Sequence, residues 1–122
     1  MDYKNILNMQ PIDLVTWLHN QFDIDVPAQI TSIEDMDDAS IILLTLSSYH
    51  SYLLELLSYA KCLTRQAKRE LAKTDYEDMV DRKDAIQNMV DDIDQKYKAI
   101  SRAITIKIEN NAELKFSNPP LK

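Results

Sequence analysis

Residues 28 to 118 contain neither glycine nor proline, and glycine is missing from all 122 positions. An average chain carries about 7% glycine. Tight hairpins and the loops of parallel α/β sheets depend on residues that tolerate positive φ, so the absence of glycine nearly rules out an all-β or α/β fold. The same absence removes every phosphate-cradling glycine loop and the glycine-flanked serine elbow. Helices need no glycine, and a breaker-free stretch of this length reads as helix throughout. The length is that of one domain, which buries roughly two thirds of its unfolded surface.

The charge is polarised along the chain. Residues 1–60 carry nine acids against Lys4 alone, for −8, and residues 61–122 carry 11 acids against 13 bases, for +2. The net −6 repels nucleic acid at long range, but a local basic face can still track a phosphate backbone. One cysteine and two histidines exclude a disulfide framework and the usual zinc sites, so no metal and no cofactor is expected. The longest apolar run, Ile41 to Leu44, is far short of a membrane span, and no leader pattern opens the chain. The expectation is a soluble cytoplasmic protein, in the host cytoplasm if phage-encoded.

Hydrophobic periodicity divides the chain. Pro11 suits a first helical turn, and Ile12, Val15, Leu18 and Phe22 follow at helical spacing, with Trp17 off that stripe. Pro27 disfavours helix at the residue before it, so residues 23–31 read as an extended linker. Ser32 and Asp35 then offer caps for a helix over 32–73. Its apolar positions Ile42, Leu46, Tyr49, Leu53, Leu56, Ala60, Leu63 and Ala67 step by four and three, a heptad seam that Leu43, Leu54, Leu57 and Leu71 widen. Thr74 and Glu77 have capping-box spacing and mark a break. A second long helix over 75–113, ~55 Å if unbroken to about 112, repeats the rhythm through Met79, Ile86, Val90, Ile93, Tyr97, Ile100 and Ile104, with Lys83 the polar intruder. Residues 114–122 read as a tail.

The expected fold is all-α and single-domain: a short N-terminal helix, with its linker, over 1–31, packed on a long antiparallel helical hairpin of coiled-coil character. Stripes this wide exceed what one hairpin covers, so a homo-oligomer is expected, with Ile42, Leu46, Tyr49, Leu53, Leu56, Ile93, Tyr97, Ile100 and Ile104 as its interface. Cys62 lies on the apolar side and reads as a small buried hydrophobe.

No nucleophile–base pair and no Glu-x-x-His metal pair is present, so no catalytic residue is assigned and no enzyme is expected. The sharpest local feature is the run 61–73, with five bases and one acid. Lys61, Arg65, Lys68, Arg69 and Lys73 step by three or four and form one helical stripe. It reads either as a nucleic-acid-binding face or as a solvated face paired with Asp78, Asp81 and Asp84 across the bend. Tyr59, near Lys61 and Arg65, offers a base-stacking ring in the first reading and a packing ring in the second.

A Tyr- and Leu-rich seamed helix (residues 49–57), a basic run ending in an acid–Tyr pair (61–76) and a long helix closing in Lys-Ala-Ile-Ser-Arg-Ala-Ile (95–104) together resemble phage recombination mediators of the UvsY type. The resemblance spans residues 40–110. It implies a non-enzymatic oligomer that binds single-stranded DNA and helps load a recombinase, with Arg65, Lys68 and Arg69 the best matches to the DNA face. The acidic first half departs from that family's pattern. The alternative is a small acidic helical inhibitor or adaptor, such as a phage anti-defence protein, that binds a protein partner through Asp35, Asp37 and Asp38.

Overall fold

The computed structural model describes residues 2–70 and 73–110, and all their regular structure is helical. Five helices follow in order: α1 (Tyr3–Leu7), α2 (Pro11–Gln21), α3 (Val26–Ser32), α4 (Met36–Glu70) and α5 (Lys73–Asn110). Helices α4 and α5 form an antiparallel hairpin. Near its bend, the Thr64 hydroxyl donates to the Ala60 carbonyl at 2.7 Å and lies 3.4 Å from the Met79 carbonyl. Farther along, Ser47 and His50 face Ile93 and Tyr97. The three short helices cover the pair, α1 against α4 and α2 and α3 against α5.

The two long seams meet as the heptads require. Leu46, Leu53, Leu56, Ala60 and Ala67 are buried on α4, and Ile86, Val90, Ile93, Ile100 and Ile104 on α5. Leu63 leaves the seam and is 37% exposed, while Thr64 takes its place in the interior. The seam is not lost there, since Ala67, the next position along it, is buried again.

The first 35 residues hold more helix than their periodicity promises. Helix α1 was not anticipated; Asp2 caps it, accepting from the Asn5 amide at 2.9 Å, and it buries Ile6 and Leu7. On α2 the buried positions are Leu14 and Leu18, with Phe22 at its end. Ile12 is 73% exposed and Val15 also faces outward, which corrects half of the expected stripe. The expected linker 23–31 is corrected too, because α3 occupies most of it. Pro27 sits in the first turn, where an amide has no intrahelical partner to lose, and Asp25 accepts from the Ala28 amide at 3.1 Å. Ser32 therefore ends α3 and does not open the next helix. The α4 start is built by Asp35, whose carboxylate accepts from the Asp38 amide at 2.9 Å, and by Asp38, which accepts from the Glu34 amide at 3.0 Å. The Thr74 cap, Leu71 and the tail at 114–122 lie outside the described side chains.

Two cations fasten the short helices to α5. Arg82 Nε donates to the Met9 carbonyl at 2.7 Å. Lys107 Nζ donates to the carbonyls of Ile30 and Ile33, both at 2.9 Å, and so satisfies the C-terminal end of α3. Lys107→Met keeps the aliphatic stem but removes a charged donor, leaving the Ile33 carbonyl without this partner and the Ile30 carbonyl with only the Ile33 amide at 3.2 Å. It should lower stability by about 2 kcal/mol, read as a shifted urea midpoint at unchanged slope. A shift below ~0.5 kcal/mol would show that Lys107 does not hold α3.

Among the described residues one helix, α4, is long and apolar enough by length and composition to cross a bilayer. The short run at 41–44 understates this, because Leu46, Leu53, Leu54, Leu56 and Leu57 follow at close intervals. Core helices of water-soluble proteins meet the same criterion, and one face of α4 packs on α5.

Candidate nucleic-acid interface

Lys61, Arg65, Lys68 and Arg69 are all exposed, on the side of α4 turned away from Ala60, Thr64 and Ala67. Among the described residues no ion pair joins any of the four to an acid; the pairs present are Lys83–Asp84, Lys96–Asp92 and Lys98–Asp94. The pairing with Asp78, Asp81 and Asp84 that a solvated face would use is not made among them. Lys73 is corrected: it opens α5 and so does not extend the α4 stripe. Four exposed positive side chains thus share just over two turns of one helix.

Beside this face runs an apolar groove of about 610 Å³ between α1 and α4, walled by Tyr3, Leu7, Tyr59, Cys62 and Leu63. Tyr59 is 50% exposed, and its ring lies tilted on Tyr3 with centroids 4.9 Å apart. It belongs to the groove, one face round the helix from the bases. Burial, and then the charge of Glu55, raise the Tyr3 phenol above its ordinary value. Cys62 corrects the expectation of a buried thiol. It is exposed, with Arg65 Nη2 3.4 Å from its sulfur. Two residues past buried Ala60, it has turned about 200° from the core, a rotation that the widened stripe concealed.

The residues expected at an oligomer interface sit elsewhere. Leu46, Leu53, Leu56, Ile93, Ile100 and Ile104 are buried in the chain's own core, and Ile42, Tyr49 and Tyr97 pack against it. Short helices that the periodicity did not reveal supply the cover that the wide stripes demanded.

Among the described residues no group of three or more His, Cys, Asp and Glu could hold a metal ion. His19 and Asp92 line one shallow cleft, and His50 and Asp94 another. The fold brings these pairs together from different helices, which spacing along a single helix could not reveal. Each acid is already held at 3.0 Å by a lysine one turn on. Of the acidic trio at the α4 start, Asp35 and Asp38 are spent on capping. The chain matches no protein-family model, no curated protein and no solved structure. Its functional reading therefore rests on its own side chains, and the basic face of α4 gathers four exposed cations with no acid partner among the described residues.

Proposed function

We propose that this protein is a non-enzymatic accessory of nucleic-acid metabolism, acting in the cytoplasm, that binds single-stranded DNA along α4 and serves as a recombination mediator beside a recombinase. One observation carries the DNA-binding reading: Lys61, Arg65, Lys68 and Arg69 are exposed together with no acid partner among the described residues. A paired base must give up its partner before it meets a phosphate, whereas these give up only water and anions. Binding to the strand releases counterions, and that release drives association. The recombinase role rests on the resemblance to UvsY-type mediators alone. The acidic-adaptor reading is weaker, because two of its three named carboxylates are committed to the α4 cap.

Fluorescence anisotropy with a labelled oligonucleotide across a salt series tests the proposal. Each phosphate contact on a single strand contributes ~0.7 to the slope of log affinity against log salt. Four contacts predict a loss of about 50-fold between roughly 50 and 200 mM salt. Lys61→Ala or Lys68→Ala should each lower the slope by ~0.7 and leave the helix content unchanged. Absence of binding at low salt would sink the proposal and leave the acidic-adaptor reading in its place.

A further inference from the structure

The outward side of α4 carries a second heptad that the fold leaves uncovered. Asp37, Ile41, Leu44, Ser48, Ser51 and Glu55 step by four and three, and all are exposed. After one four-residue shift the row continues through Tyr59, Cys62, Gln66 and Arg69, again all exposed. Ile41 and Leu44 are 63% and 67% exposed, among the most exposed large apolar side chains described. The row is acidic where the helix begins and basic where it ends, and it runs ~48 Å.

We infer that this row is the contact of an antiparallel homodimer, α4 against α4 of a second copy. Laid antiparallel, the ten positions match one another in reverse order. Asp37 then faces Arg69 of the second copy, and Leu44 faces Cys62. Ser48 faces Tyr59, a small residue making room for a ring, and Ser51 faces Glu55, a hydroxyl within reach of a carboxylate. Leu44 and Ile41 of one copy enter the groove between α1 and α4 of the other, where Tyr3, Leu7 and Leu63 offer apolar walls. Charge selects the direction. A parallel pair would set Asp37 against Asp37 and Arg69 against Arg69, whereas the antiparallel pair makes two opposite-charge contacts by symmetry. This surface is distinct from the buried seam of the hairpin. It leaves Lys61, Arg65 and Lys68 outside the contact and engages Arg69, so in the dimer three of the four bases of the proposed DNA face stay open to a strand and Arg69 is shared between the two uses.

Site-directed cross-linking reads the register directly. Leu44→Cys places a new thiol opposite the native Cys62 of the second copy, while within one chain the two are held about 27 Å apart by the helix. Copper–phenanthroline oxidation should convert this variant to a covalent dimer on a non-reducing gel, and Cys62→Ser in the same background should abolish it. Analytical ultracentrifugation should find the unmodified protein dimeric at micromolar concentration. Asp37→Arg and Arg69→Asp should each weaken the dimer about tenfold, since symmetry counts each pair twice, and the double exchange should restore it. A monomeric wild type overturns the inference. So does a cross-link in the wild type through Cys62 alone, or one that survives Cys62→Ser.

Discussion

Leu53→Glu should leave the chain unfolded, with its helical circular dichroism lost at room temperature. Leu53 is fully buried at the middle of the α4–α5 contact. Removing its side chain alone, as in Leu53→Ala, should cost about 3 kcal/mol through lost transfer energy and the cavity left behind. A carboxylate there adds a desolvation cost of several kcal/mol, because the position lies within the apolar core. The sum approaches the ~5–15 kcal/mol that holds a domain of this size together. Leu56→Glu should behave alike. Leu54→Glu, one residue along and 44% exposed, should change stability by less than ~0.5 kcal/mol and serves as the control. A folded Leu53→Glu protein would mean that the two seams do not form the core. The same experiment separates two uses of the seam. Were Leu53 an intersubunit residue, the variant would remain helical and lose only its assembly.

Phe22→Ala should cost about 3–4 kcal/mol, large for a residue at the end of an 11-residue helix. Its ring is the junction of the N-terminal helices with α4. It meets Trp17 edge-on at 6.1 Å, Tyr49 edge-on at 5.1 Å and Tyr52 at 5.8 Å. Such aromatic pairs add to the simple area term. Tyr52 also meets Tyr3 at 5.5 Å, so the cluster ties α1 and α2 to one stretch of α4. The single tryptophan makes the effect visible. Truncating Phe22 opens the indole to water, and Trp17 emission should move to longer wavelength while most of the α4 and α5 helix signal persists. Phe22→Leu should recover more than half of the loss. An unchanged emission maximum in Phe22→Ala would show that the cluster does not anchor the short helices.

The two long helices were legible because their apolar residues repeat over many turns, and repetition averages out local exceptions. Lys83 interrupts the second seam without breaking it, and α5 runs through it. Short elements lack that redundancy. A five-residue helix such as α1 presents one buried pair, Ile6 and Leu7, which no periodicity test can separate from chance. Pro27 misled for a different reason. The rule disfavours helix only at the residue before proline, and here that residue, Val26, is the first of the helix behind the Asp25 cap, so nothing after it is barred from helix.

The basic face of α4 was legible as residue types and spacing. Its freedom from acid partners was not, since Asp78, Asp81 and Asp84 stand near enough in sequence to be candidates and only the packing angle decides whether they reach. Cys62 shows the same limit at one residue. An apolar stripe widened by Leu43, Leu54 and Leu57 has no visible edge until the neighbouring helices are in place.

The sequence by itself determined that this chain is helical, that α4 and α5 are long and amphipathic, and that the charge reverses along α4. These follow from local rules, namely the absence of glycine, a four–three spacing and the preference of acids for helix starts. Tertiary structure alone decided which of two apolar faces on α4 became the core and which stayed at the surface. Both faces obey the same heptad arithmetic. The inner one is richer in Leu and Ala and meets the Ile-rich face of α5, burying far more apolar area than Ile41, Leu44 and Tyr59 could, and that difference in burial is set by the partner surface and not by the helix's own residues.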